Sequence, residues 1–329
     1  MEPKTRIGIS ASAVLLVISS YSIADGWDPN SSASTIGSIA NTRHNLTISY
    51  NPNAPVMDLF RNNYGAICVY CHTPHGGNTQ VDAPLWNRTV NPGNYTIYDK
   101  PRTLNRPIGL PGPSSLTCLS CHDGTISIDS VLNMPGSGLD PMGSGMSNNV
   151  TGNSNDAFLN KWGEAGFPGP PPITHATLGP ELAIGNTDNT CALCHASAIG
   201  VESYKVFMLG TDLRNDHPIG ILYPEPGQGD FNDPNVKQSR GGVGGIAFFD
   251  LNGNSHADVN EVRLYDSGDG YEVECASCHD PHGVPSGGPG TRFSPSFLRV
   301  NNGVAGTHAG TTGIVQNGPS ALCLTCHTK

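Results

Sequence analysis

The chain has no cysteine to spare. All ten stand in five copies of Cys-x-x-Cys-His: Cys68/Cys71/His72, Cys118/Cys121/His122, Cys191/Cys194/His195, Cys275/Cys278/His279 and Cys323/Cys326/His327. A zinc knuckle needs four ligands to converge, and it gives no reason for a His directly after every second Cys. A thiol–disulfide pair gives none either. Charged residues are scarce, at 13%, and an excess of basic ones is lacking, since the net charge is −10. That balance argues against nucleic acid or an anionic membrane surface as a partner. Hydrophobic residues are only 36%, beside 41 Gly and 27 Pro. Such a chain on its own would struggle to build a core. Beyond the N-terminus no apolar run reaches the roughly 20 residues that span a bilayer.

What is present is the fivefold pattern, and its spacing reads as c-type haem attachment. Two thiols form thioethers to one haem, and the adjacent His is held beneath the iron as the proximal ligand. Five flat, largely apolar haem c groups then supply the buried material that the composition lacks. The expected fold is a coil-rich multihaem cytochrome c, with short helical turns at the haem motifs, few short strands and a core built around the haems. The N-terminus reads as a secretory signal over 1–24. Lys4 and Arg6 precede an apolar stretch from Ile7 to Ile18, and Ser22-Ile23-Ala24 has the small residues of a cleavage site. An uncleaved anchor is the alternative, but four serines dilute the apolar stretch. Residues 25–329 then form a single multihaem domain with an N-terminal arm over 25–60. No membrane insertion is expected after cleavage.

Several motifs follow helix-start signals: Pro113-Ser114-Ser115, Asp188-Asn189-Thr190 and Pro319-Ser320-Ala321. Strand patterns occur at Tyr204–Leu209, Gly245–Phe249, Val262–Tyr265 and Tyr271–Glu274. The last two flank a hairpin signal, Asp266-Ser-Gly-Asp-Gly270. Residues 133–175 read as an irregular Gly/Pro segment.

Seven of the 12 histidines remain after the proximal set: His44, His75, His175, His217, His256, His282 and His308. They are enough to give every iron a second imidazole, with Met57, Met134, Met142, Met146 and Met208 as alternatives. His75 and His282 follow a proximal His by three residues. They cannot reach the same iron, so each is placed to serve a neighbouring haem. Asp250, Asn252, Asn254, His256, Asp258 and Glu261 match the oxygen-ligand spacing of a calcium-binding loop, with Ser255 where glycine is usual. A solvated Asn/Asp turn is the alternative for that loop. Sequons at Asn30, Asn45, Asn87, Asn94 and Asn149 are candidate glycosylation sites in an exported chain, or simply Asn-rich surface.

Five stretches carry a family resemblance: Cys68–His75 with Ala83-Pro-Leu-Trp-Asn-Arg88, Leu116–Gly124, Asn215-Asp-His-Pro-Ile-Gly220, Val273–Gly283 and Leu322–His327. Together they resemble the tetrahaem extracellular cytochromes that polymerise into conductive filaments, the cytochrome nanowires. The resemblance runs over most of the mature chain, and the motif at Cys191–His195 is additional to it. It implies His44, His75, His217 and His282 as distal ligands. It also implies a self-assembling head-to-tail homopolymer, located outside the cell or on its surface, that exchanges electrons with other redox proteins or extracellular acceptors. For the additional haem, His175 just upstream is the first candidate, followed by His308 and then His256. His44, on its sparsely apolar arm, is expected to complete a haem of the next subunit; folding back onto its own chain is the alternative. The rival functions are a soluble periplasmic shuttle and a pentahaem nitrite or hydroxylamine reductase. A reductase would need one iron with an open distal side.

Overall fold

The computed structural model describes residues 39–42, 44–47, 66–100, 106–126, 128–133, 208–238, 245–284, 294–300 and 320–328. Residues 1–24, most of the 25–60 arm, the motif at Cys191–His195, and His175 and His308 lie outside them.

Among the described residues regular structure is short. Three α-helices occur: α1 (Pro113–His122), α2 (Cys275–Cys278) and α3 (Ala321–Cys326). Single 3-10 turns lie at Ile39–Asn41, Ile67–Tyr70 and Pro295–Phe297. Five strands, β1 (Ile221–Leu222), β2 (Val236–Gln238), β3 (Ile246–Phe248), β4 (Arg263–Asp266) and β5 (Tyr271–Val273), form one antiparallel sheet in the order β1-β5-β4-β3-β2. No helix among the described residues is long and apolar enough to cross a membrane.

The sequence signals and the elements differ in instructive ways. Pro113 sits in the first turn of α1, but Gly112 is the cap residue. Ser115 is drawn elsewhere: its hydroxyl binds the Glu274 carboxylate and accepts the Cys275 N–H at 2.9 Å. In α3, by contrast, Ser320 caps the helix through the Cys323 N–H. The strand patterns at 245–249, 262–265 and 271–274 overlap β3, β4 and β5, and the hairpin between the last two turns on Gly268 and Gly270 at φ 121° and 125°. Met208 and Leu209 are not in a strand, and 204–207 lie outside the described residues. β1 and β2, of two and three residues, are too short to show alternation.

The core is divided. One cluster joins Val81, Trp86, Tyr95, Leu116, Leu119 and Leu213, with Cys71 against it. Another lies on the sheet, with Tyr223, Ala247, Phe249, Val262 and Leu264, and Leu322 and Cys326 of α3 pack on it. A buried Arg88 ties the first motif to the second. Its guanidinium donates to Ser120 Oγ at 3.3 Å, Ser120 O at 2.8 Å and Ile128 O at 2.8 Å. Asn87 is also fully buried. Its amide donates to Val69 O and Asn133 O, each at 2.7 Å, so this sequon cannot carry a glycan. Asn45, 8% exposed, is bonded to Ala40 O, whereas Asn94 lies exposed.

β5 runs directly into the fourth motif. Glu274 between them is the N-cap of α2, in a reciprocal capping box with Ser277. Its carboxylate also accepts Gly112 N–H at 3.0 Å, so one buried acid joins the starts of α1 and α2. A Cβ at position 112 would collide with it.

Candidate haem sites

Each described motif closes locally. The His N–H bonds the carbonyl of the first Cys at 2.7 Å in the first motif, 3.1 Å in the fourth and 2.8 Å in the fifth. One helical turn therefore carries Cys, Cys and His at i, i+3 and i+4, which share a face.

Distant histidines meet these proximal ones. The His72 and His282 rings are nearly parallel, 12° apart, with centroids separated by 6.3 Å. The His44 and His122 centroids are 6.2 Å apart at 77°. A metal–imidazole bond is about 2 Å long, and a five-membered ring has a radius of about 1.1 Å. Two imidazoles sharing one iron through Nε2 therefore place their centroids about 6.2 Å apart. A stacked pair in contact sits closer, as His44 does on Phe297 at 4.3 Å. His217 is a neighbour of His327, whose pKa is lowered by burial and by that ring.

Proton placement fits the same geometry. Nδ1 of His72 donates to Pro84 O at 2.7 Å, and that of His44 to Pro281 O at 2.8 Å. His217 donates to Pro218 O at 3.0 Å, and His279 to Ser296 O at 2.7 Å. His282 Nδ1 donates to the Asp280 carboxylate at 3.0 Å. Carbonyls only accept, so the proton resides on Nδ1 and the Nε2 lone pair is left for a metal. Burial, with His122 and His282 nearby, holds His44 at a pKa of about 4, and burial lowers His279. Both are therefore neutral imidazoles near pH 7, the form that ligates. The buried Trp86 indole N–H, on a ring edge-on to His72 at 5.6 Å, has no acceptor among the described residues; one on a bound group would satisfy it. These residues fit haem. No three His, Cys, Asp or Glu side chains converge on one point among the described residues, whereas a haem iron needs only two imidazoles.

The motif cysteines run in a file. All eight described thiols are free. Burial and then the neighbouring Cys121 push Cys71 up to about 12. The Cys118 thiol donates to Cys275, which raises Cys118 and lowers Cys275. Cys278 is pushed up to about 11 by burial, Cys275 and Cys323. The described motifs are thus neighbours in the order first, second, fourth, fifth.

Other sequence candidates fall differently. His44 lies against residues of its own chain, and the arm on either side of 39–47 lies outside the described residues. Thr42, Asn45 and Thr47 form tight turns around it, and Pro281 O and Phe297 hold its ring. His75 is exposed and pairs with no described histidine, and no described histidine faces His279. Cys191, Cys194, His195, His175 and His308 lie outside the described residues.

The 250–261 loop connects β3 to β4. Asp250 accepts backbone N–H groups of Asn252, Gly253 and Ser255 at 3.2, 2.6 and 2.8 Å, and Glu261 those of Leu251 and Asp258 at 2.7 and 3.0 Å. Asp258 accepts both Asn252 and Asn254 amides, and His256 points no ring contact at the loop's carboxylates among the described residues. Ser255 adopts φ 60°, the left-handed geometry for which glycine is usual at that position.

Sequence reasoning missed three supports. Asp280 lies between two histidines already singled out, so its position was the available signal. Arg299, 4% exposed in its side chain, binds Asp280 Oδ2 at 3.1 Å. Burial alone would raise the Asp280 pKa, but His282 and Arg299 hold it at about 2. The third is the turn at Ser296 and Phe297, both at positive φ (53° and 59°), a conformation costly for a phenylalanine. It supplies the carbonyl for His279 and the ring over His44. No known protein-family model matches this chain, and neither does any curated protein sequence.

Proposed function

We propose that the chain is an exported electron-transfer protein with five covalent c-type haems, and that it assembles outside the cell as the repeating unit of a conductive filament. The observation that carries the electron-transfer reading is the pairing of His72 with His282, and of His44 with His122, at the spacing of a shared iron, with the protons of His72, His282 and His44 placed on Nδ1. Haem iron supplies the one-electron couple when bound. The protein's part is to fix the axial pairs, exclude water and set the order of sites. His72 with His282, His122 with His44, and His327 with His217 are the proposed pairs. His175 or His308 serves the additional motif at Cys191–His195. Filament assembly rests on the family resemblance. Because His44 meets His122 of its own chain, we assign the ligand that crosses between subunits to exposed His75, and His279, which faces no described histidine, is its proposed target.

The test is a mass measurement and a spectrum on one sample. The mature chain 25–329 is expected to carry five haem masses, all irons low-spin. Four haems with free thiols at Cys191 and Cys194 would remove the additional site. A large high-spin signal that responds to nitrite would favour the reductase, and particles that stay monomeric in cryo-electron microscopy of material sheared from cells would favour the shuttle.

For the 250–261 loop we propose calcium. Protein purified without chelator is expected to contain one calcium by elemental analysis, and Asp250→Ala to lower thermal stability. No calcium and an unchanged melt return the loop to a solvated turn.

A further inference from the structure

Four of the five Nδ1 acceptors described above are neutral backbone carbonyls. The fifth, for His282, is a carboxylate. Asp280 Oδ1 takes both the His282 ring proton and the His282 backbone N–H, each at 3.0 Å. The carboxylate is built in: Phe297 O fixes the Asp280 backbone N–H at 2.9 Å, and buried Arg299 holds Oδ2. Arg299 is itself anchored to Ala276 O at 2.9 Å and Val259 O at 3.0 Å, so α2 and the β3–β4 connection keep it in place.

We infer that Asp280 is a tuning residue that gives His282 imidazolate character and makes the haem held by His72 and His282 more reducing than its neighbours. The inference rests on the axial pair proposed above. A carboxylate on the far nitrogen makes an imidazole a stronger donor, and a stronger donor favours ferric over ferrous iron. Neutral carbonyls on the other rings do so less. The file of sites would then have a built-in slope, its lowest potential at the first motif. Arg299 moderates the effect and keeps the carboxylate from turning to water.

The experiment is a spectroelectrochemical titration of the intact haem protein, comparing wild type, Asp280→Asn and His282→Met. Changing a ligand's outer partner alters metal affinity by about tenfold or more. Where such a tenfold loss falls on the ferric state alone, the one-electron midpoint rises by about 59 mV. Asp280→Asn is expected to raise one midpoint potential by at least that amount, with five haems and the low-spin spectrum retained. It must be the same haem that His282→Met alters. Unmoved potentials in Asp280→Asn, while His282→Met changes one haem, overturn the inference and leave the axial pair standing. A His282→Met spectrum identical to wild type overturns the axial pair and the inference with it. A measurement that needs no variant is the paramagnetic resonance spectrum of oxidised wild type. One low-spin species with a narrower spread of g-values than the rest is expected, and a uniform set overturns the inference.

Discussion

His44→Ala protein is expected to keep all five haems and to polymerise, but with one iron converted from low to high spin. His75→Ala is expected to abolish filaments and, because the proposed His279 site then lacks the ligand from the next subunit, to show one high-spin iron as well. The contrast follows from where the two rings lie. His44 is fastened on four sides, by its own turn, Pro281 O, Phe297 and the His122 ring. Removing it opens one iron within the subunit. His75 is exposed beside Pro74, three residues past His72, and meets no described histidine of its own chain. Optical spectra of the oxidised proteins and negative-stain microscopy read both outcomes on the same preparations. Loss of filaments in His44→Ala, with His75→Ala filaments normal, would restore the arm of residues 25–60 as the link between subunits.

The second large effect concerns Glu274. Glu274→Ala is expected to cost on the order of 3 kcal/mol and to lower the melting temperature by several degrees. It strands the Gly112 and Ser277 N–H groups and the Ser115 hydroxyl in the buried seam between α1 and α2. Glu274→Gln tests the charge alone. Burial outweighs those hydrogen bonds and, with Glu272 adding, raises the Glu274 pKa from 4.5 to about 7. A carboxyl whose folded pKa is raised contributes stability that is full below its unfolded pKa and is lost as pH rises through the folded one. Thermal melts of wild type should therefore fall between pH 4.5 and about 7, and Glu274→Gln should flatten that decline. Parallel curves for the two proteins would place the pH dependence elsewhere.

Some of this architecture is legible in the residues themselves, because the information is local. Each described Cys-x-x-Cys-His sets one helical turn, and Asp266–Gly270 turns a hairpin without outside help. The axial pairs are another matter. His44 meets His122, and His282 meets His72, across long stretches of chain with no period or spacing to announce them. The doubling of His75 and His282 showed only that each must serve a different site, and the structure separates them, placing one in a pair and the other in the open. Glu274 and Ser115 were unreadable for the same reason. A Glu before a helix and a Ser in a cap position look like ordinary local signals, and their actual partners come from remote segments.

The touching thiols of Cys118 and Cys275 carry a consequence for biosynthesis. They belong to motifs far apart in the chain, yet they lie against each other beneath the Glu274–Ser115 bridge. Both sulfurs are half-buried once α1 and α2 are docked. If the proposed haems are attached through them, attachment before docking meets less obstruction than attachment after it. On that reading the haems would enter as covalent parts of an open chain, and the α1–α2 seam would close behind them.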